Sequence, residues 1–221
     1  RRLMSLVEEQ VYENEKNSRM MIDVLGHIVE FRNGESGMHI HHIQVITKLL
    51  LHHLVKMTDA YPLSESDIAM YSTASALHDI GKIGIDDKIL NKPGRLTPEE
   101  FDEMKKHTII GESILKNVGI YQNEELVQLA MQICRWHHER YDGKGYPGGV
   151  KGTDIPLLGR ILAVCDSFDA MVSRRAYKDA LSVEYAIGEL EKGKGTQFDS
   201  DVAEAFIELI EEDPSFQVKA S

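Results

Sequence analysis

The stretch Ala76-Leu77-His78-Asp79-Ile80-Gly81-Lys82-Ile83-Gly84 constrains this chain more than any other. An apolar, helix-like approach through Ala74, Ala76 and Leu77 delivers a histidine and an aspartate side by side. The chain then turns at Gly81 and Gly84 with Lys82 held between them. An imidazole beside a carboxylate offers nitrogen and oxygen donors from one backbone point, a ready start for a metal site. One pair does not hold a metal, so a fold that uses it must bring further donors from elsewhere.

Further donors are available. Histidine occurs ten times, and seven of these lie in three tight groups: His39, His41 and His42; His52 and His53; His137 and His138. Glu35 and His39 stand four apart at an expected helix start, so they project from one face. His107 lies one turn beyond Met104, and His137-His138 closes another helix. Asp166 interrupts the apolar run Ile161-Leu162-Ala163-Val164-Cys165. A carboxylate in such a run is expensive to bury unless a cation compensates it, either a metal or an arginine. A single histidine on a helix is more often a surface or core residue. The argument therefore rests on repetition: several helices each contribute one or two donors, as bundles do when they build metal sites.

More than four donors implies more than one metal. Two metals about 3.5–4 Å apart share a hydroxide and clamp both oxygens of an in-line phosphoryl displacement. Imidazole-rich mixed sets suit iron, manganese, zinc or nickel better than magnesium. Lys82 is placed to meet a phosphate as a point charge. Asp142-Gly143-Lys144-Gly145-Tyr146-Pro147-Gly148-Gly149 is an obligate loop whose glycines allow close approach of a ligand, and Tyr146 is suited to stack on a planar group. Arg174-Arg175-Ala176-Tyr177-Lys178 puts cations and an aromatic after the Asp166 helix, a set suited to a phosphate plus a base. His27, His41, His42, His52 and His53 read as structural or surface residues, and Cys134 and Cys165 as small core residues.

Strand alternation is nearly absent, and apolar residues recur at helical spacing, so the expectation is an all-α domain of about seven to nine helices. Residues 1–32 read as a long helix with a thin apolar stripe, typical of a coiled-coil or signalling connector. Helices are expected from about Glu35 to Met57, Glu65 to Asp79, Pro98 through His107, Glu124 to Arg140, Leu157 to Val172, Ser182 to Lys192, and Asp199 or Ser200 to Ile210. This divides the chain into a connector (1–32), a main helical domain (33–213) and a tail (214–221). The net charge of −11 over 221 residues argues against nucleic-acid or anionic-membrane binding through bulk charge. Bound metal reverses that sign locally and admits an anionic substrate. No run of 18 apolar residues is present, so no membrane span is expected. Two cysteines without framework spacing fit a cytoplasmic protein. The first residue is Arg1 rather than Met, as in a fragment of a longer chain.

LHDIGKIGI (77–85), NKPGRLTPEEFDEMKKH (91–107), HHERYDGKGYPGG (137–149), RILAVCDSFDAM (160–171) and QFDSDV (197–202) together resemble the HD-GYP family, a branch of the HD metal-dependent phosphohydrolases. The resemblance spans about residues 33–210. It implies an HD helical core with additional C-terminal helices. It also implies hydrolysis of cyclic di-GMP to pGpG and, in some members, on to GMP, by a metal-bridging hydroxide attacking phosphorus in line. The implied cofactors are two or three divalent ions, iron or manganese, with zinc and nickel as alternatives. The implied ligands are Glu35, His39, His78, Asp79, His107, His137, His138 and Asp166, with Asp79 bridging and Glu35 serving a third metal. Lys82 would contact the scissile phosphate or assist the leaving oxygen, and Arg175, Tyr177 and Lys178 would bind the dinucleotide. Asp142, Gly143, Gly145, Tyr146 and Pro147 form the GYP loop, which shapes the pocket and contacts GGDEF-domain partners. An upstream receiver or sensor domain and a homodimer through the first helix complete the expected partners. Two positions depart from the family pattern. His42 stands where Arg is frequent, which bears on contacts behind the ligands, and Ala176 replaces a common Pro. A slow cyclic di-GMP sensor and a hydrolase of another cyclic dinucleotide are the alternative readings.

Overall fold

The computed structural model describes residues 2–33, 37–173 and 180–213, and every regular element among them is helical. In chain order these are α1 (Arg2–Arg32), α2 (His39–Met57), α3 (Glu65–Ser75), α4 (Asp87–Leu90), α5 (Pro98–Lys105), α6 (His107–Lys116), α7 (Glu125–Trp136), α8 (Leu157–Val172), α9 (Val183–Gly193) and α10 (Ser200–Glu212). Short 3-10 turns occupy Ile80–Gly84, Gly119–Tyr121 and Gly152–Asp154. The all-α expectation holds, with ten helices among the described residues rather than seven to nine.

Helix starts follow their capping chemistry. Ser64 and Asp67 form a reciprocal capping box on α3, and Thr97 and Glu100 form another on α5, with Pro98 in its first turn. Ser182 caps α9, and Asp199 caps α10 by accepting from the amides of Asp201 and Val202. The first turn of α2 is served from outside. The Glu30 carboxylate, buried at the end of α1, accepts the Ile40 amide at 2.7 Å.

Several helices stop earlier than their periodicity predicts. The run expected to continue to Asp79 leaves α-geometry after Ser75 and tightens, with i→i+3 bonds from the amides of Leu77, His78 and Ile80. The run expected to pass His107 breaks at Lys106, and His107 opens α6, within which Gly111 lies. The run expected to reach Arg140 ends at Trp136. In each case a histidine lies within three residues of the break.

The core is built on α8. Ile161, Leu162, Val164 and Cys165 are fully buried there, and α8 packs against α2, α7, α9 and α10. Phe168 meets Phe206 of α10 edge to face, with ring centroids 5.0 Å apart. Arg160, at the head of α8, is buried. It donates to the Asp199 carboxylate at 2.5 Å and to the Ile155 carbonyl at 3.0 Å, so one ion pair ties α8 to the cap of α10. Cys134 and Cys165 are unpaired and wholly buried, as expected of core residues. The second half of α1 is held against the body through Ile22 and Val29. No described helix is long and apolar enough to cross a membrane.

Candidate metal centre

The helix breaks converge. Donor atoms of His39, His78 and Asp166 lie within 4.8 Å of one another, and so do those of Asp79, His107, His137 and His138. Seven of the eight sequence-predicted ligands therefore meet in two adjacent sets. Glu35, the eighth, lies outside the described residues, as do Arg175, Tyr177, Lys178 and the replaced position Ala176.

Asp79 joins the two sets. Its Oδ2 is 3.3 Å from Nε2 of His78, and its Oδ1 is 3.4 Å from Nε2 of His107 and 3.8 Å from Nε2 of His137. Oδ1 is buried and accepts no hydrogen bond among the described residues. A buried carboxylate oxygen without a donor is costly and is aimed at a cation.

The imidazoles point the same way. His78 Nδ1 donates to the Ser75 carbonyl at 2.9 Å, His107 Nδ1 to the Met104 carbonyl at 2.7 Å, and His137 Nδ1 to the Ile133 carbonyl at 2.9 Å. His39 Nδ1 donates to Asp169 at 2.6 Å. Carbonyls and carboxylates only accept, so the proton sits on Nδ1 in all four rings. Each Nε2 then faces the interior. Nε2 of His39 and His78 stand 3.4 Å apart, as do those of His107 and His137. Nitrogen lone pairs facing each other at that distance repel unless a cation or proton lies between them. The donor set thus fits divalent metal, with the ring orientation fixed by the outer partners.

The electrostatics agree. Burial pushes His107 and His138 down and carries His137 to about 3, with charge at His78 adding to the effect on His137, so these rings are neutral ligands at pH 7. At His78 burial also pushes downward, but Asp79 and Asp166 outweigh it and raise the imidazole to about 9. Without metal, a proton therefore sits where positive charge is favoured, and metal competes for that same position. Burial opposes the ionisation of Asp79, yet Lys82 and His78 hold it well below the usual carboxylate range. The Lys82 ammonium is 2.7 Å from Asp79 Oδ2.

Close backbone approach makes this convergence possible. A side chain at Gly81 would place its Cβ 1.9 Å from the His107 carbonyl oxygen and 2.4 Å from the Gly111 amide. Only glycine lets the His78-Asp79 turn lie against the head of α6. From the other side, the Cys134 thiol donates to the Leu77 carbonyl at 3.1 Å, holding α7 to the same turn.

The GYP loop is folded onto the end of α7. A Cβ at Gly145 would meet the Arg140 amide at 2.3 Å, and the Tyr146 amide donates to the His138 carbonyl at 3.2 Å. The Tyr146 ring stacks on His138 with centroids 4.8 Å apart, and Phe101 of α5 meets it edge on at 6.1 Å. Asp142 pairs with Arg140 at 2.8 Å and accepts the Lys144 amide, and the hydrogen bond from Arg140 leads in drawing its carboxyl down to about 2.

Sequence reasoning missed two residues, Asp169 and Glu139. Asp169 is buried and accepts from both His39 and His42, the latter at 2.9 Å. The rule that singled out Asp166, a carboxylate in an apolar helix, applies equally to Asp169 one turn on. His42, the position where Arg is frequent, takes part in this contact behind His39, as the expectation of a role behind the ligands has it. Glu139 is buried and accepts the amides of Gly148 at 2.6 Å and Val150 at 3.0 Å, closing the GYP loop. The signal for Glu139 was its place directly after His137-His138. His27, His41, His52 and His53 belong to neither donor set.

An all-α bundle with an adjacent His-Asp pair at its centre, joined by histidines from three other segments, is the arrangement of an HD domain. The HD domain family model matches residues 32–202, and the chain belongs to that family, with the motifs of its HD-GYP branch. It is 42% identical over 192 residues to a cyclic di-GMP phosphodiesterase of Thermotoga maritima, covering 87% of this chain and 49% of the relative. It is 38% identical over 193 residues to a 3'3'-cGAMP-specific phosphodiesterase of Vibrio cholerae, covering 87% and 35%. The chain thus spans about half the length, or less, of these curated relatives. A crystal structure of a cyclic GMP-AMP-specific phosphodiesterase of V. cholerae superposes with a TM-score of 0.56 at 17% identity, covering 90% of this chain and 50% of that one, a likeness of fold.

Proposed function

We propose that this chain is a metal-dependent phosphodiesterase that hydrolyses cyclic di-GMP to pGpG. The observation that carries the reading is Asp79, whose two oxygens face two separate donor sets while Oδ1 stays buried with no hydrogen bond among the described residues. His39, His78 and Asp166 would hold one divalent ion and His107, His137 and His138 a second, with the Asp79 carboxylate between the two sets. Iron and manganese match this imidazole-rich mixture of donors. When bound, such ions neutralise the diester and lower the pKa of a water toward neutrality.

The chain's own residues do the rest. Carbonyl and carboxylate partners lock the imidazoles of His39, His78, His107 and His137 with their lone pairs inward. Lys82 keeps a proton at the edge of the site, 2.7 Å from Asp79, placed to meet a phosphate oxygen or to protonate the 3′ oxygen as it leaves. The GYP loop, closed by Glu139 and seated on His138, walls the pocket. Arg175, Tyr177 and Lys178 bind the dinucleotide's phosphates and base. The name of the V. cholerae relative favours a second substrate reading, 3'3'-cGAMP, at the same site.

We also propose that α1 is a connector to an upstream receiver or sensor domain in a cytoplasmic protein, that the GYP loop serves GGDEF-domain partners, and that α1 pairs in a homodimer. Met4, Val7, Val11, Met21, Leu25 and Ile28 are exposed at heptad spacing along it, with Asn14 and Ser18 filling the two remaining positions.

Reconstitution of metal-depleted protein with Fe(II) or Mn(II) under anaerobic conditions, with cyclic di-GMP and 3'3'-cGAMP followed by chromatography, tests the reading. Turnover that disappears in His78→Ala and Asp79→Ala is expected. Tight dinucleotide binding without turnover under any metal would replace the enzyme by a sensor.

A further inference from the structure

Lys82 sits on a very short support. The 3-10 turn Ile80–Gly84 is five residues long and contains two glycines. Such a turn has few internal hydrogen bonds and high backbone freedom, so it does not hold a side chain in one direction by itself. Its start is tied down by the amides of Ile80 and Lys82, which bond to Leu77 and Asp79. Its end is held from outside by Arg32, the last residue of α1. Arg32 Nη1 donates to the carbonyls of Lys82 at 2.8 Å and Ile83 at 2.7 Å. Its Nη2 donates to the Ile85 carbonyl at 2.6 Å and pairs with Asp87 at 2.8 Å.

Three carbonyls and a carboxylate thus converge on one guanidinium about fifty residues away in sequence. A planar fork with five donors matches such a set, whereas an ammonium satisfies only part of it. Positive charge is also favoured at the carbonyl end of a helical turn. Two residues earlier on α1, Glu30 caps α2 at Ile40, next to His39. The end of α1 therefore grips both the turn that carries Asp79 and Lys82 and the helix start that carries His39.

We propose that Arg32 is a positioning residue for the active site: its guanidinium clamp on the 82–85 carbonyls fixes the turn that aims Lys82 at the phosphate. The inference rests on the reading of Lys82 as the phosphate contact. It makes the last turn of α1 part of the catalytic apparatus, so a displacement of α1 reaches Lys82 directly.

A double-mutant cycle on the metal-loaded protein tests it. Arg32→Ala is expected to lower kcat for cyclic di-GMP by about tenfold to a hundredfold, with metals bound per chain unchanged. In a Lys82→Ala background the same substitution is expected to cost less than about twofold, because the group it positions is gone. Arg32→Lys, which keeps the charge and loses the fork, is expected to recover the urea midpoint without recovering kcat, and it serves if Arg32→Ala does not fold. Losses that multiply in the double variant, or an unchanged kcat in Arg32→Ala, would overturn the proposal. So would a Lys82→Ala variant with wild-type kcat. If the wild type cleaves bis(4-nitrophenyl) phosphate but not cyclic di-GMP, the substrate reading falls, and the cycle, run on the ester, supports or overturns the role of Arg32 by the same criteria.

Discussion

At Asp169 one carboxylate accepts from two imidazoles and from the Ser173 hydroxyl. Burial opposes its ionisation, but the hydrogen bonds from His39 and His42 outweigh burial and hold its pKa well below the usual range. Asp169→Asn keeps the shape and loses an acceptor, freeing the His39 ring to turn. Metal affinity is expected to fall about tenfold to a hundredfold, read by competition with a chromogenic chelator. The pH dependence follows from the lowered pKa. The unfolded chain takes up this proton first as pH falls, so the contribution of Asp169 to stability is full above about pH 4 and declines below it. Thermal melts of the chelator-treated proteins should show the gap between wild type and Asp169→Asn closing as pH drops from about 5 toward 3. A gap that stays constant or widens would contradict the assignment. His42 belongs to the same scale. Its imidazole is raised by the hydrogen bond to Asp169, and the same bond helps to hold that carboxylate ionised.

Among the elements, the 3-10 turn after Asp79 is the most demanding. It lies against α6 so closely that Gly81 tolerates no side chain, the obstacles being backbone atoms that cannot rotate away. Gly81→Ala is expected to destabilise the fold by about 3 kcal/mol or more, with loss of metal from the Asp79 set, measured by urea denaturation and metal analysis. Gly188 provides the contrast. It lies inside α9, and a Cβ there would have nothing within 4 Å, so Gly188→Ala should raise stability by about 0.4–1 kcal/mol. An equal effect at both sites would remove the packing argument. Element ends were the least legible part of the sequence. Apolar periodicity ran straight through Ser75, Lys106 and Trp136, whereas the chain leaves regular helix there, and next to the breaks Ser75, Met104 and Ile133 supply carbonyls to histidine rings. Periodicity reports which face is buried and carries no information about a side chain that takes a backbone acceptor.

For the whole molecule, α1 leaves much apolar surface uncovered, with Val11, Met21, Leu25 and Ile28 each about half exposed or more. Its inner face at Ile22 and Val29 packs on the body, so the outer stripe is open to the proposed partner helix. Sedimentation should show a dimer that Val11→Glu with Leu25→Glu converts to monomer without lowering the melting temperature of the HD domain. A wild type that remains strictly monomeric at high concentration would end that proposal. Because α1 finishes in Glu30 and Arg32, both bonded to segments that carry the site, the proposed pairing and the proposed catalysis would share one helix.

The sequence alone determined the helical class, the capped starts of α3, α5, α9 and α10, and the donors available, because periodicity, capping and side-chain chemistry are local properties. The tertiary structure decided how those donors divide into two sets around Asp79, which nitrogen of each imidazole faces inward, and which buried groups hold them. Those depend on atoms brought together from positions up to 130 residues apart, as in the bond between His39 and Asp169. The same reason hid Arg32, an ordinary last-turn cation by sequence, until the fold placed the carbonyls of the Lys82 turn around it.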